Sequence, residues 1–198
     1  MSNKEDFAKY IESFLKQNSV LNLISKNDEK FLWEKHIFDS LSIDLFFGKF
    51  IKDTSGLTLL DIGTGGGFPS VPIAIKYPKI SVFALDSIRK KINAISNIKE
   101  DLNIENLNLI CDRAENLTQK FDIITSRAVA PLKVILGYGL PLLKKGGFFV
   151  AYKSIKTDEE ILEAKSILNK YGAKVVDIIK YDLPLEVNHT RNLIIIKK

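Results

Sequence analysis

Apolar positions along this chain follow two periods in turn. Near the start, Phe7, Tyr10, Ile11, Phe14 and Leu15 fall three and four apart, the spacing that puts one stripe on a helix. A second stripe through Trp33, Ile37, Leu41 and Leu45 predicts another helix, capped at Asn27 or Asp28 and ending near Gly48. The pattern then changes to short apolar runs separated by helical stretches. Runs at 57–62, 80–85, 107–111, 121–125 and 148–152 read as buried strands. Between them one helix opens at Pro69, and another begins at Ile88 with Ser87 as its cap. A third covers about 131–143, kinked at Pro141 and stopped by Gly146-Gly147. Thr157-x-x-Glu160 has the form of a capping box, opening a helix through Ile161, Ala164, Leu168 and Tyr171 that Gly172 closes. Two final strands, at 174–182 and 192–197, make a hairpin.

This alternation predicts an α/β fold. The expected architecture is a seven-stranded, mostly parallel sheet with helices on both faces and one antiparallel strand. An N-terminal helical extension (1–52) packs on a core domain (53–198). A chain of 198 residues, 45% of them hydrophobic, has room for one full domain and a modest extension. The single cysteine, Cys111, excludes an internal disulfide framework and suits a reducing compartment. With only His36 and His189 beside it, a His/Cys zinc site is not expected, nor is any other metal. Residues 1–6 lack the apolar stretch of a signal peptide, and no run is long enough to cross a bilayer. The expectation is a soluble, cytoplasmic monomer without a membrane partner. A net charge of +5 and a pI near 9.1 favour an anionic one.

The chemistry concentrates in Asp61-Ile62-Gly63-Thr64-Gly65-Gly66-Gly67-Phe68-Pro69. An apolar strand ends in an acid and three alternating glycines, and a helix follows. Glycines at 63, 65 and 67 let the backbone turn sharply and let a ligand approach without meeting a Cβ. Open α/β sheets bind ligands at this end of a strand. The dinucleotide fingerprint would need glycine at position 68, which is Phe, and no Gly-Lys-Ser/Thr follows to make a phosphate loop. The pattern acid-x-G-x-G-x-G is the form found in methyltransferases that use S-adenosylmethionine (SAM). SAM has no phosphate, and its sulfonium and ammonium suit a nearby carboxylate such as Asp61. Asp86 ends the next strand, where a carboxylate accepts hydrogen bonds from a ribose diol. The plainer alternatives are a tight turn without a ligand and, for Asp86, a helix cap.

Several blocks beyond the glycines carry a family resemblance. Asp86-Ser87 with Lys90-Lys91, Arg113-Ala114-Glu115 and Ser126-Arg127-Ala128-Val129-Ala130 follow in order. Upstream stand Asn22-Leu23-Ile24 and His36-Ile37-x-Asp39-Ser40-Leu41, and Lys153 follows the fifth strand. In these motifs, over nearly its whole length, the chain resembles the RsmG (GidB) family. Ser70, Gly66 and Ser154 depart from the family's usual residues, and the N-terminus is short. The resemblance implies a class I, Rossmann-like SAM-dependent methyltransferase. It implies methylation at N7 of guanine 527, in the 530 loop of 16S ribosomal RNA, with the RNA or the small-subunit particle as partner. It also implies SAM contacts at Gly63, Phe68, Ala114, Glu115 and Arg127. Phe68 would supply an apolar wall, and Ala114 and Glu115 would read the adenine edge. The planar fork of Arg127 suits the SAM carboxylate, an RNA phosphate or a base face. Arg113 and Glu115 read equally well as a solvated pair.

His36, Asp39 and Ser40 share a helix face. They could position a target nucleotide or brace the glycine loop, but holding the helix to the domain is the favoured reading. Phe31, Trp33 and Phe38 are expected in the core. Arg89, Lys90, Lys91, Lys144, Lys145 and Lys156 are expected on the solvated surface, and Lys153 beside the cleft. Guanine N7 carries a free lone pair, so catalysis reduces to alignment and water exclusion, with no catalytic side chain expected. Arg127 and Lys153 would position the substrate. Because N7 faces the deep, narrow major groove of A-form RNA, the target should be a loop or an opened helix. The rival readings are a methyltransferase for another RNA, a protein or a small molecule, and a SAM-binding module without activity. Phe68 disfavours a nicotinamide dehydrogenase.

Overall fold

Leu59 and Leu60 are adjacent and fully buried, yet they pack into different cores. An apolar run without alternation does this when both faces of a sheet are covered. The computed structural model describes residues 3–154, 157–187 and 189–198, so Lys156 lies outside the described residues. Seven strands form one sheet: β1 (Thr58–Ile62), β2 (Ser81–Leu85), β3 (Leu107–Ile110), β4 (Phe121–Arg127), β5 (Leu143–Lys153), β6 (Lys174–Leu183) and β7 (His189–Lys197). Their spatial order is β3-β2-β1-β4-β5-β7-β6. The first five run parallel, and β7 is antiparallel to both β5 and β6. The order reverses between β1 and β4, which opens a crevice at their carboxyl ends.

One face of the sheet carries α5 (Ser70–Lys76), α6 (Arg89–Leu102) and the N-terminal helices. Of these, α1 (Ala8–Leu21) packs on α6 and places Tyr10 and Phe14 in the same cluster as Leu59, Ile123, Val150 and Ile195. The other face carries α7 (Leu132–Leu142) and α8 (Thr157–Lys170) over Leu60, Ile124, Phe149 and Ile194.

Local chemistry moves several expected boundaries. The helix expected from Asn27 is several pieces: α2 (Lys26–Glu29), a wide π-type turn (Trp33–Phe38), α3 (Asp39–Leu41) and α4 (Ile43–Phe50). Ser25 is the cap, accepting from the Asp28 N–H at 3.2 Å. The helix widens where the Lys35 carbonyl turns to the guanidinium of Arg127, a side chain entering the ladder. Gly146-Gly147 does not stop α7, which ends at Leu142. The pair lies inside β5, where Gly147 passes too close to the Asp122 carbonyl to admit a side chain. Ser87 does not cap α6; the Asp86 carboxylate takes the Ile88 N–H instead, at 2.9 Å. Glu160 does not reach back along its own helix either. Its Oε2 accepts the Leu132 N–H at the start of α7 and the Lys153 ammonium, both at 2.6 Å. Of the three aromatics expected in the core, Trp33 packs there, half-buried against Phe7, whereas Phe31 and Phe38 are half-buried outside both clusters and Phe31 lies under the Lys30 and Lys35 ammonium groups.

Two glycines in α7 make opposite predictions. A Cβ added at Gly139 would overlap the Phe149 ring of β5, whereas nothing lies within 4 Å of one added at Gly137. Gly139→Ala should destabilise the chain by about 1–3 kcal/mol, and Gly137→Ala should stabilise it by up to about 1 kcal/mol. Denaturant midpoints measure both, and equal shifts in one direction would contradict this packing.

Candidate functional site

The glycine loop fills the crevice at the end of β1. Gly63, Gly65 and Gly67 all have positive φ (73°, 60° and 94°), a region that L side chains avoid. Space adds a second constraint at Gly63, where a Cβ would lie 2.5 Å from Val129. At Gly65 the space beside the backbone is open, as a ligand's approach requires. The loop is pinned from behind. Gly63 and Thr64 both donate N–H groups to the Leu85 carbonyl at 2.9 Å, and Gly65 donates to Asp86 Oδ2 at 3.0 Å. Asp86 therefore couples the loop to the start of α6, with Lys91 at 3.8 Å completing the pair. Asp61 lies fully buried beneath the loop rather than on the cavity wall. One of its oxygens accepts from Thr125 at 3.0 Å, and the other has no partner among the described residues. Burial pushes its carboxyl up to about 6.

A cavity of about 710 Å³ opens in front of the loop, within the usual range for small-molecule sites. Gly63, Gly65 and Phe68 line one end, and the β6–β7 hairpin lines the other. Arg127 sits between them as the last residue of β4, not beyond the strand. Its guanidinium donates to Asp39 Oδ2 at 2.9 Å and to the Lys35 carbonyl at 3.1 Å. A third donor lies 3.1 Å from His36 Nδ1, and the group stands 5.2 Å from the Phe68 ring centre. Phe68 is buried against Tyr10, Phe14 and His36. The chain thus uses three of the five N–H donors of Arg127 for itself. His36 and Asp39 reach this guanidinium together, while Ser40 turns back to the His36 carbonyl and accepts from Tyr152 through its own.

The remaining expected residues are dispersed. Lys153 borders the cavity, but its ammonium is bound to Glu160 and to the Ala130 carbonyl. Ala114 and Glu115 form a single turn after β3; Ala114 is buried in the second core, Glu115 is exposed, and neither lines this cavity. Arg113 is exposed and makes no ion pair among the described residues. The far end holds residues that sequence reasoning missed: Tyr181, Leu183, Leu185 and Arg191. The Tyr181 hydroxyl donates to Asp39 Oδ1 at 2.7 Å, so Asp39 is held from two sides. In sequence these residues are ordinary hairpin positions, and only the pairing of β6 with β7 turns them to the site.

Because His36 Nδ1 faces a guanidinium, it must accept, and the ring must be neutral. Burial first, and Arg127 second, lower its pKa from 6.5 to about 4. Between those values the unfolded chain takes up a proton that the folded chain refuses, so stability falls as pH falls through the window. His36→Asn removes this limb. The melting-temperature gap between wild type and variant should narrow from pH 7 to pH 5, and a constant gap would contradict the buried neutral ring.

Comparison with known proteins places this geometry. The chain is 36% identical over 200 residues to ribosomal RNA small subunit methyltransferase G of Staphylococcus saprophyticus, covering 98% of this chain and 82% of that one. It is 37% identical over 201 residues to the protein of that name from Lactobacillus acidophilus, with the same coverage. Among solved structures it resembles magnesium protoporphyrin IX methyltransferase from Synechocystis PCC 6803 with bound SAM. The TM-score is 0.68 at 16% identity, over 98% of this chain and 95% of that one. An rRNA methylase from Streptococcus thermophilus gives 0.56 at 21% identity, over 80% and 94%. These two likenesses place the fold among class I SAM-dependent methyltransferases. The family model described as rRNA small subunit methyltransferase G matches residues 3–196, and the chain belongs to that family, GidB.

Proposed function

We propose that this chain is a SAM-dependent methyltransferase that modifies N7 of a guanine in 16S ribosomal RNA, guanine 527 of the 530 loop. One observation carries the reading: two positive-φ glycines, Gly63 and Gly65, at the switch point of the sheet open onto a cavity bordered by cations. The relatives' shared name supplies the RNA class. The cavity is large enough for a donor and one extruded base, and it lies where the fold binds ligands.

The residues present fit SAM. Gly63 and Gly65 offer bare backbone, and Phe68 supplies an apolar wall. Asp86 and the Ala114-Glu115 turn stand at the carboxyl ends of β2 and β3, outside the lining of this cavity, and Asp86 supports the donor site by holding the Gly65 N–H. Asp61 acts through the loop above it. When bound, SAM supplies an electrophilic methyl carbon on a sulfonium sulfur. Guanine N7 would take that methyl with its own lone pair as the carbon–sulfur bond breaks and the neutral thioether leaves, so this chain's work is to bind, orient and exclude water. Residues 53–198 carry the donor site, and 1–52 pack on them as an extension whose His36 and Asp39 complete the wall. The protein works in the cytoplasm as a monomer, on free 16S RNA or on the small-subunit particle, without a metal. No helix among the described residues is long and apolar enough to cross a membrane.

The atom that accepts the methyl is directly testable. In small-subunit particles rebuilt with 7-deazaguanine at the target position, labelled methyl transfer should fall to background while binding persists. Transfer that continued on this substrate would show another acceptor atom and overturn the assignment.

A further inference from the structure

Five lysine and arginine side chains line the cavity, and four are neutralised by carboxylates. Lys35 pairs with Asp28 at 2.8 Å, Lys91 with Asp86 at 3.8 Å, Arg127 with Asp39 at 2.9 Å and Lys153 with Glu160 at 2.6 Å. The fifth, Arg191, has no acidic partner among the described residues, and its Nε is buried without a hydrogen-bond partner. A guanidinium is always charged, and leaving its donors unmet in a half-buried site is costly. The cavity therefore carries one unanswered positive charge, at a known place.

That place separates it from the donor site. Arg191 stands on β7, opposite Tyr181 of β6, and β7 is three strands from β1 in the sheet. At ~4.8 Å per strand this is about 14 Å from the glycine loop. SAM itself carries a net positive charge, so it leaves the surplus uncancelled. Guanine O6 and N7 are the usual bidentate partners of arginine, but such a grip would occupy N7, the atom to be methylated. A phosphate of the RNA chain meets both conditions. It is anionic, it matches the guanidinium fork, and it leaves the base edge free. Leu185, half-buried and lining the same cavity, offers apolar surface to the adjoining nucleotide.

We infer that Arg191 is the RNA-binding residue of the cavity, holding a backbone phosphate beside the methyl-accepting guanine. The inference rests on the rRNA methyltransferase reading above and adds the position where the acceptor strand is gripped. It also places the RNA contact away from Lys153, which was expected to position the substrate and whose charge Glu160 already answers.

The test compares wild type, Arg191→Gln and Arg191→Lys in methyl transfer to 16S ribosomal RNA across a salt series, with SAM affinity measured by calorimetry. Arg191→Gln should raise KM for the RNA by about 10- to 100-fold and lower the salt slope of binding by roughly 0.7, leaving SAM affinity unchanged. No carboxylate loses a partner in this variant, so its melting temperature should stay near wild type. Arg191→Lys keeps the charge without the fork: its slope should match wild type while KM rises. Unchanged KM and slope in Arg191→Gln, with an active wild type, would overturn this inference alone. A tenfold loss of SAM affinity would overturn it too, by seating the SAM carboxylate on Arg191. A wild type that transfers no methyl to 16S RNA would remove the underlying function as well. Should Arg191→Gln not fold, Arg191→Lys decides: a KM equal to wild type would overturn the inference.

Discussion

The ion pair between Arg127 and Asp39 joins two parts of the chain that are distant in sequence and must meet for the site to exist. Both side chains are largely buried, with the guanidinium at the end of β4 and the carboxylate at the start of α3. Burying two charges costs solvation, and the cost is offset only when further hydrogen bonds satisfy them. Here they do: Asp39 also accepts from Tyr181, and Arg127 also reaches His36 and the Lys35 carbonyl. The pair thereby fixes the N-terminal helices, the end of β4 and the last hairpin relative to one another. Phe68 of the glycine loop packs under the same guanidinium. The two ends of the cavity owe their relative position to this one cation.

The same pairing of charge explains how a basic chain can gather several cations around one site. Each of four cavity cations is answered by a carboxylate from another element, so none is left to repel its neighbours. His36 stays neutral because burial and Arg127 both oppose its protonation. Asp61, sealed beneath the loop, is pushed the other way, toward the protonated acid. The loop is held by backbone N–H groups on Leu85 and Asp86, which leaves its open side for a ligand. What remains unbalanced among the described residues is Arg191, at the hairpin end of the cavity.

The periods of the apolar residues made the sheet and its helices legible, because burial on one face or two leaves a local trace. Leu59-Leu60 and Phe149-Val150-Ala151 read as strands covered on both sides, and they are. The glycine spacing was equally local. Less legible were features set by partners far along the chain. Glu160 has the look of a capping box but serves α7 and Lys153. The π-type turn at Trp33–Phe38 depends on a guanidinium some 90 residues away, at Arg127. Gly146-Gly147 resembles a helix stop, although it is a positive φ at Gly146 and the close approach of Asp122 at Gly147 that favour glycine there. Arg191 looks like any charge at a strand's beginning until the carboxylates around the cavity are paired off.

The central claim is that Arg127 and Asp39 act as one unit holding the site together, and a double-mutant cycle on unfolding free energy tests it most directly. Arg127→Ala and Asp39→Ala should each cost about 3–5 kcal/mol, since each strands a buried charge. The double variant should cost less than the sum of the two by about 2 kcal/mol or more. Single costs that add to within ~0.5 kcal/mol would mean that the two residues do not depend on each other, and that some other contact holds the N-terminal helices over the glycine loop.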